Sequence, residues 1–543
     1  MKQVIFLLKS FCILFLSVVS LASCNGMDDT PSGSYLEKDF WTSTEKAQYV
    51  LNMAYNQLYS AGRMWRDEKL SDNLAMGRTF TDERIIRNGN ADASTWLFDN
   101  EWRDCFSAVK TCNVFLDMVD LIKADNAVIK NMKAQARYIR VAMFFRLTCF
   151  YGDIPYFTRN ITSDEAKIAH RISHKAVIDS LKAELDALVP LLPTKDELAT
   201  DRRGEVTKGA ALMLRARIAL YESDWNDVEK YCNMLMHQQD EYGRYSLFDS
   251  YSGLFLQENE YNDEVILDCG YAPKMRTWGE MFDMAPLSVG ARVNDCAPTQ
   301  SLVDDYIMLD GRPYYESKMY DSTHPYLDRD PRLTHTVVYD GYDWSGNVND
   351  RTKGKVIYTN PDARDRTDAY AGHNKNQTMT GYYVRKYYDP QHEGHLASAI
   401  NIIAMRYADV LLMYAEAMNE QGRMSSVVWN ETIGALRRRA GFTLPEALDY
   451  PLDLSREQMR SVIRRERRSE LALEGLRWFD IKRWRTGGQC LDGYVYGAKF
   501  ENNYTENIRL DNYQFDESRD YLWAVPLSQI DINKNLMPQN PGY

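Results

Sequence analysis

Apolar residues recur at intervals of three and four along much of the first 240 positions, and this spacing restricts the possible folds more than any other feature of the sequence. In the segment 44–59, Ala47, Val50, Leu51 and Leu58 would share one face of an α-helix. The same period predicts six amphipathic helices, at 44–59, 101–119, 130–150, 173–188, 207–221 and 225–236. The amino-terminal part of the chain therefore predicts a scaffold of consecutive helices.

Small residues mark the predicted helix at 207–221 as one member of a closely packed pair. Ala210, Ala211, Ala216 and Ala219 recur along it, and a short turn at 223–225 leads into the next helix. Segments 404–422 and 427–441 repeat this arrangement. The packing style resembles tetratricopeptide-type helix pairs. We therefore expect a mostly α fold in which such pairs form a right-handed helical scaffold, with a loop-rich irregular insertion that carries short strands.

The composition changes between about residues 241 and 399, where Gly, Pro, Asp and Tyr crowd segments such as 339–346. These residues predict turns and short strands in place of long helices. Helical periodicity resumes at Met405 and continues to about Arg485. We expect a helical scaffold at about 41–240 and 400–485, with a ligand-binding region at about 241–399, because binding residues concentrate in loops on rigid scaffolds.

The charge balance excludes one large class of partners. The chain carries 65 Lys and Arg against 77 Asp and Glu, a net charge of −12, and shows no basic patch that would neutralise phosphates. Nucleic acid is therefore not an expected partner. Tyr is the most frequent aromatic residue, with 36 copies against 19 Phe and 11 Trp. Since a Tyr ring packs while its hydroxyl stays hydrated, this excess suggests a wet binding surface.

The amino terminus has the features of a bacterial lipoprotein signal. Lys2 and Lys9 flank an apolar run at 11–21 that is too short to span a bilayer. The run closes with Leu-Ala-Ser before Cys24, which resembles a lipobox. We therefore predict a signal peptide at 1–23, and a lipidated Cys24 with a polar, flexible tether at 24–40. An ordinary secretory signal with a chance cysteine is the alternative.

The seven cysteines that remain after Cys12 and Cys24 do not suggest disulfides or a metal site. Cys105 and Cys112 are seven residues apart on one predicted helix, a rise of about 10 Å, which exceeds the disulfide span. No Cys or His spacing fits a zinc site. We therefore expect buried free thiols and neither a metal nor a cofactor.

Motifs of known enzyme classes are absent from the sequence. There is no nucleophile elbow and no phosphate loop, and the segment 392–395, His-Glu-Gly-His, is one residue short of a zinc-protease motif. Acidic residues do recur at intervals of four in Glu466, Glu470 and Glu474, interleaved with arginines. We interpret this segment as a charge-paired, packed helix face, because such spacing favours ion pairs over a catalytic carboxylate pair. The protein is predicted not to be an enzyme.

Several segments together resemble the SusD/RagB family of outer-membrane glycan- or peptide-binding lipoproteins. They include ARYIRVA at 136–142, YGDIP at 151–155, MRYADVLLMYAEA at 405–417, ERRSELALEGLRWFD at 466–480 and PQNPGY at 538–543. The resemblance covers almost the whole mature chain and implies a single domain at 41–543. It also implies a non-catalytic protein that is anchored in the outer membrane, with a SusC-like TonB-dependent transporter as its partner. The acidic stretch after Cys24 resembles the surface-export signal of Bacteroidota lipoproteins, so we expect the protein to face the cell exterior.

A carbohydrate site requires flat aromatic faces beside carboxylate, amide and guanidinium groups. Two regions offer this mixture, one from 65 to 102 and one in the loop-rich part of the chain. The resemblance supports the first region, since family members commonly use loops near the amino terminus as one wall of the glycan platform. The candidate glycan-binding residues are Trp96, Asp72, Asn73, Arg78, Asn100, Tyr271, Trp278 and Trp344.

The leading functional hypothesis is capture of an oligo- or polysaccharide and its delivery to the transporter. Peptide capture is an alternative within the same fold, and it would require a deep cleft with strand edges that pair with a peptide backbone. A surface glycosidase would require two carboxylates about 5 to 9 Å apart in a cleft. A scaffold that holds other proteins through its helix pairs would show no ligand-lined pocket.

Overall fold

A computed structural model of the protein describes residues 34–344, 355–389, 396–500 and 507–543. Cys24 and the segment 392–395 lie outside these residues, so the predicted lipid acceptor and the histidine-containing loop stay predictions. Within the described ranges, no helix is both long enough and apolar enough to cross a bilayer.

The first part of the described chain is built mainly from α-helices. They are α1 (Thr44–Leu58), α2 (Ala61–Lys69), α3 (Asp82–Arg87), α4 (Trp96–Met118), α5 (Asn126–Tyr151), α6 (Ser163–Lys167), α7 (His174–Leu188), α8 (Lys208–Tyr221), α9 (Trp225–His237) and α10 (Gln239–Tyr242). Helix α4 packs along α5, α5 against α7, and α8 against α9. The predicted helices correspond to α1, α4, α5, α7, α8 and α9, so all six are confirmed.

Side-chain caps determine where several of these helices begin. The side-chain oxygens of Ser43, Ser173 and Thr207 accept hydrogen bonds from the first turns of α1, α7 and α8. Helix α4 differs from the prediction because it begins at Trp96 instead of residue 101. As a consequence Trp96 and Asn100, predicted on a loop, lie in the first turns of a helix.

Small residues bring α8 close to its neighbours, as the sequence predicted. Ala210, Ala211 and Ala216 are completely buried. A Cβ atom added at Gly209 would lie 2.1 Å from the hydroxyl oxygen of Tyr245. The absence of a side chain at Gly209 therefore allows the Tyr245 ring to pack closely against α8.

Short antiparallel strand pairs replace long helices in the middle of the chain. They are β1 (Leu74–Met76) with β3 (Cys296–Pro298), β2 (Val265–Cys269) with β8 (Ile402–Arg406), β4 (Val337–Val338) with β7 (Tyr383–Val384), β5 (Tyr342–Asp343) with β6 (Val356–Ile357), and β9 (Gly493–Tyr496) with β10 (Arg509–Tyr513). In the β2–β8 pair, Val265 lies opposite Arg406 and Cys269 opposite Ile402. Each described pair is a separate two-stranded sheet, and the described strands form no closed sheet.

Helices return in the last third of the chain. The remaining helices are α11 (Gln300–Asp305), α12 (Arg332–Thr336), α13 (Tyr407–Glu420), α14 (Ser426–Glu431), α15 (Ile433–Ala440), α16 (Pro445–Leu448), α17 (Arg456–Glu470), α18 (Arg477–Trp484), α19 (Gly487–Cys490) and α20 (Leu527–Ile532). Helix α13 packs against α9 and α17. The second predicted pair is therefore present, although Thr432 interrupts its second member between α14 and α15.

Two hydrophobic cores underlie this architecture. The larger core lies among the long helices and includes Phe98, Tyr138 and Leu214. The second core is enclosed by the loop-rich segments and contains Phe282 and Tyr383. All seven described cysteines are free thiols, as expected, and six of them are buried.

Buried ion pairs tie the loop-rich segments to α17. Glu470 accepts hydrogen bonds from Arg332 at 2.8 Å, from Arg406 at 2.6 Å, and from Arg439. Glu474 also pairs with Arg406, at 2.7 Å. These side chains are all buried, so the acidic stripe is a paired structural face, as the sequence indicated. Its partners lie on distant segments and not among the arginines that immediately alternate with it.

Candidate ligand-binding cleft

Two of the predicted glycan-binding tryptophans are core residues, which corrects the expectation that they lie on an open surface. Trp278 is 5% exposed, and its Nε1 donates a hydrogen bond to the carbonyl oxygen of Ile400 at 2.8 Å. Trp344 is fully buried, with its ring 4.9 Å from that of Tyr388. Long-range packing partners bury both rings, although their local sequences are rich in turn residues.

Asp72 and Asn73 are also buried, and both are engaged with arginines. Asp72 accepts two hydrogen bonds from Arg477, at 2.8 and 2.9 Å, and lies 3.0 Å from Arg468. Burial alone would raise the pKa of Asp72, but the two guanidinium groups hold this pKa well below its usual range. Asn73 accepts a hydrogen bond from Arg468 at 2.8 Å and donates one to Glu68 at 2.5 Å. Both predicted residues therefore stabilise the protein interior.

The other predicted residues are more accessible, but the structure does not gather them into one site. Trp96 is 61% exposed at the start of α4, and Asn100 donates to Asp104 at 3.1 Å one turn further on. Arg78 donates to Asn376 at 3.3 Å. The Tyr271 hydroxyl accepts the backbone N–H of Ala61 at 2.9 Å. Their roles in glycan binding stay predictions.

The structure places a larger group of aromatic residues around a different feature, an open cleft of about 1350 Å³. It lies between α11, the loop at 314–329, strand β9 and the segment around α18 and α19. Of the predicted residues, only Asp72 lines this cleft. Six tyrosines line it, and we call it the tyrosine cleft: Tyr314, Tyr320, Tyr326, Tyr382, Tyr494 and Tyr496.

One wall of the tyrosine cleft is formed by Tyr314 and Tyr320, whose ring centroids are 5.0 Å apart. Arg329 lies behind them, with its guanidinium carbon 5.4 Å from the Tyr314 ring. This guanidinium donates to the carbonyl oxygens of Val303 and Tyr306, both at 2.6 Å. Because Arg329 is buried and bound to backbone oxygens, it supports the loop at 314–329.

A chain of hydrogen bonds crosses the cleft floor. The Tyr326 hydroxyl donates to that of Tyr382 at 3.3 Å, and the Tyr382 hydroxyl donates to the Gln300 side chain at 2.6 Å. Gln300 in turn donates to Asp304 at 2.7 Å. Burial raises the pKa of Asp304 despite that hydrogen bond. The floor therefore presents hydroxyl and carboxylate groups held in a fixed geometry.

The opposite wall is strand β9, on which two tyrosines alternate toward solvent. Tyr494 is 54% exposed and Tyr496 is 42% exposed, and their ring centroids are 6.5 Å apart. The Arg509 guanidinium carbon lies 4.8 Å from the Tyr494 ring. Lys499 and Asn507 extend this wall with a cation and an amide. Exposed ring faces beside polar groups form a surface that suits a hydrated ligand.

Below the tyrosines, the cations at the base of the cleft are already engaged. Arg468 donates to Asp305 at 2.6 Å in addition to its contact with Asp72. Arg87 stacks 4.3 Å from the ring of Tyr513 and donates to the carbonyl oxygen of Ser71. No group of three or more metal-ligating side chains occurs among the residues that the structure describes. Ring stacking and hydroxyl hydrogen bonding are therefore the chemistry that the cleft offers.

Sequence reasoning missed most of the tyrosine cleft. The available signal was the paired tyrosines at 314–315 and the alternating Tyr-Val-Tyr at 494–496, both in short polar segments. Trp278 and Trp344 were predicted as binding residues in preference to these tyrosines, but both belong to the second core. The excess of tyrosine in the composition indicated the correct residue type but not its positions.

Comparisons with known proteins agree on one family. A family model described as "SusD family" matches residues 264–543, and a model described as "Starch-binding associating with outer membrane" matches residues 29–220. SusD-like protein P2 of Formosa agariphila is 24% identical over 99% of this chain and 100% of its own length. A SusD-like protein of Bacteroides ovatus is 22% identical over 88% of this chain and 83% of its own.

Solved structures show the same likeness in three dimensions. A SusD-like carbohydrate-binding protein from Bacteroides fragilis superposes with a TM-score of 0.83 at 25% identity, covering 92% of this chain and 100% of that one. A laminarin-binding SusD-like protein superposes with a TM-score of 0.69 at 19% identity, with the same coverage of both chains. The second likeness shows the fold alone, because its sequence identity is low.

Proposed function

This chain belongs to the SusD family, and on that premise we propose that it is a cell-surface lipoprotein that binds an oligo- or polysaccharide in the tyrosine cleft. It then delivers the glycan to a SusC-like TonB-dependent transporter in the outer membrane. The observation that carries the proposal is the convergence of six tyrosines on one open cleft. The carbohydrate-binding and laminarin-binding names of two structural relatives support it.

The cleft has the chemistry that a glycan needs. Sugar C–H groups stack on flat aromatic faces, while sugar hydroxyls exchange hydrogen bonds with phenol, amide and carboxylate groups. Tyr494 and Tyr496 supply exposed faces, and Tyr326 and Asp304 supply polar groups on the floor. The arginines at the base are largely committed to carboxylates and carbonyls, which favours recognition through stacking and hydroxyls over recognition through charge.

The buried carboxylates support binding without hydrolysis. Asp72 is paired with Arg477 and Arg468, so it is ionised and its oxygens are occupied. Of the other carboxylates that line the cleft, Asp305 is held by Arg468 and Asp304 accepts a hydrogen bond from Gln300. A glycosidase needs one carboxyl group that holds a proton and another that is free to attack or to activate water. We therefore propose that the cleft leaves the glycan intact.

Peptide capture is the second candidate, because one observation favours it. Strand β9 lines the cleft and is paired with β10 on one side only among the described residues. An extended peptide can add a strand to an open edge of this kind. The glycan proposal ranks first because β9 is only four residues long and both of its tyrosine rings are exposed.

The test measures glycan affinity in the soluble protein that lacks residues 1–24. A panel of plant, algal and microbial polysaccharides first identifies the ligand, and calorimetry then compares the parent with Tyr494→Ala and Tyr496→Ala. We expect each substitution to weaken binding by up to about tenfold, because a stacked ring contributes about 0.5 to 1.5 kcal/mol. The thermal midpoint should not change, since both rings are exposed.

Tyr315→Ala is the matched control, because Tyr315 is 65% exposed and does not line the cleft. It should leave affinity unchanged. Unchanged affinity in both β9 variants would place the glycan elsewhere, and Trp96 would then be the next residue to replace. Release of reducing ends by purified protein would contradict a purely binding role. If extended peptides bind the parent but not the β9 variants, peptide capture is the favoured function.

A further inference from the structure

A second pocket, of about 620 Å³, lies between α1, the loop at 201–205 and strand β2. It shares no lining residue with the tyrosine cleft. Asp268 on β2 lies at its base, and Asn52 and Asn56 on the exposed side of α1 form one rim. We call it the Asp268 pocket.

Asp268 is a buried carboxylate without a cationic partner. The side chain is 7% exposed, and none of the described residues forms a salt bridge with it. Burial raises its pKa to about 6, although a hydrogen bond from the Asn401 amide to Oδ2 at 2.7 Å opposes that rise. A buried carboxylate is stabilised by donors, and this one has a side-chain amide on one oxygen only. The backbone N–H of Asp268 also stabilises the carboxylate, but Oδ1 accepts no side-chain hydrogen bond from the described residues.

Backbone geometry keeps the space around Oδ1 open. A Cβ atom at Gly204 would lie 3.5 Å from Oδ1, and one at Gly270 would lie 3.8 Å from the Tyr261 hydroxyl. Tyr261 itself has a φ of 60°, in the left-handed region that non-glycine residues seldom adopt. Such conformations cost free energy and concentrate at functional sites. Gly204 thus borders both Oδ1 of Asp268 and the ring of the strained Tyr261, while Gly270 leaves room beside the Tyr261 hydroxyl.

The charges of the pocket lining cancel. Three carboxylates and three guanidinium groups line it, namely Asp201, Glu205 and Asp268 with Arg202, Arg203 and Arg276. Arg202 and Glu205 pair with each other at 2.5 Å, and Arg276 donates to the carbonyl oxygen of Gly270 at 2.8 Å. A bound anion would be repelled by the Asp268 carboxylate. A metal cation would find no cluster of three ligating side chains among the described residues.

We propose that the Asp268 pocket is a second saccharide-binding site, which takes one or two units of an uncharged sugar. Adjacent sugar hydroxyls would donate to Oδ1 of Asp268 and exchange hydrogen bonds with the Tyr261 hydroxyl. The amides of Asn52 and Asn56 would bind the outer hydroxyls. This combination of a carboxylate, a phenol and amides, with balanced charge, matches a ligand that donates and accepts at every position.

The experiment records saturation-transfer NMR titrations with D-glucose, D-galactose, D-mannose and L-fucose. The proteins are the parent, a cleft variant carrying Tyr494→Ala and Tyr496→Ala, and the pocket variants Asn56→Trp and Asp268→Asn. We expect at least one sugar to bind the parent and the cleft variant equally. Asp268→Asn should weaken this binding by roughly tenfold, because a hydrogen bond to a charged acceptor is lost. Asn56→Trp should block the pocket with a large ring, and it should not disturb the fold because Asn56 is exposed.

Met53→Trp is the matched control, since Met53 is exposed on α1 and does not line the pocket. It should retain the sugar signal. The proposal is overturned if no sugar gives a signal that both pocket variants reduce, or if the signal disappears in the cleft variant. If calorimetry detects CaCl2 binding that Asp268→Asn abolishes, and no sugar binds, then the pocket is a cation site and the saccharide proposal is wrong. Because the cleft variant is included, failure here is distinguishable from failure of the tyrosine cleft.

Discussion

Glu470 is the residue on which three buried arginines converge. Burial would raise its pKa, but Arg439, Arg406 and Arg332 hold that pKa well below its usual range. We expect Glu470→Gln to reduce the free energy of unfolding by about 3 kcal/mol, because it removes a charge that three buried guanidinium groups share, although each keeps another carboxylate partner. Urea denaturation at neutral pH measures the change.

Acid should diminish this difference. A carboxylate with a depressed folded-state pKa contributes stability above its unfolded pKa of about 4.3, and loses it as the pH falls through the folded value. The parent and Glu470→Gln should therefore converge as the pH is lowered below about 4. Glu457→Gln, at an exposed position on the same helix, should change stability by no more than about 0.5 kcal/mol. Equal losses in the two variants would show that Glu470 has no special role.

Single residues were predictable from the sequence where local spacing decides their environment. The spacing of Glu466, Glu470 and Glu474 indicated a paired helix face. All three carboxylates are paired, but α17 ends at Glu470, so Glu474 lies beyond the helix. The partners Arg332 and Arg406 were not predictable, because 138 and 64 residues separate them from Glu470. Trp278 was misassigned for the same reason, since the carbonyl group that binds its indole is 122 residues away.

At the scale of elements, the helices were predicted well because their periodicity and caps are local. The six early predictions agree with the observed helices to within a few residues, apart from the start of α4. Thr95 makes no side-chain capping bond there, so no strong start signal precedes Trp96. The short strands were predictable only as a class, since each pairs with a distant segment such as β2 with β8.

The contact between α8 and the buried Tyr245, which follows α10, allows a direct test of close packing. We expect Gly209→Ala to destabilise the protein by about 1 to 3 kcal/mol, because the new methyl group would overlap the buried Tyr245 ring. This loss should exceed the gain of about 1 kcal/mol that alanine brings to a helix. The measurement is the urea midpoint at an unchanged m-value.

Gly270→Ala is the matched glycine control. The new methyl group would lie 3.8 Å from the Tyr261 hydroxyl, which is an ordinary van der Waals contact. The backbone of Gly270 is not in the left-handed region. Stability should then change by less than about 1 kcal/mol in either direction. If Gly209→Ala is as stable as the parent, Tyr245 moves aside without cost and the small residues of α8 are not required for packing.

For the molecule as a whole, the tyrosine cleft shows the limit of sequence reasoning. Its walls come from segments near 300, 314–329, 382 and 494–499, with Asp72 and Arg477 at the base. Arg468 of α17 connects two of these segments, because it forms ion pairs with both Asp72 and Asp305. Long-range contacts of this kind leave no periodic signal in the sequence. The residue type was predictable from the excess of tyrosine, while the location required the fold.

Under the proposed lipid anchor, Cys24 and the residues that follow it would connect the folded body to the membrane. The described chain begins at Ser34, and the carbonyl oxygen of Tyr35 accepts a hydrogen bond from the Trp41 indole at 2.9 Å. The chain therefore joins the folded body within a few residues of Ser34. Ten residues separate Cys24 from Ser34, which allows a reach of at most about 35 Å. A lipid on Cys24 would thus keep the amino-terminal end of the folded body within about 35 Å of the outer membrane.

Cys24→Ala should release the protein from the membrane, because we propose that a lipid on this cysteine is its anchor and no described helix can span a bilayer. Cell fractionation followed by a carbonate wash measures the distribution, with immunodetection of each fraction. Cys490→Ala is the control, since this partly exposed thiol lies in the folded body and should not affect attachment. The released protein should bind glycan as the parent does, because every residue that lines the cleft lies in the folded body and not in the segment around Cys24. Retention of Cys24→Ala in the washed outer membrane would contradict the anchor assignment, and would indicate that contacts of the folded body with a membrane partner hold it there.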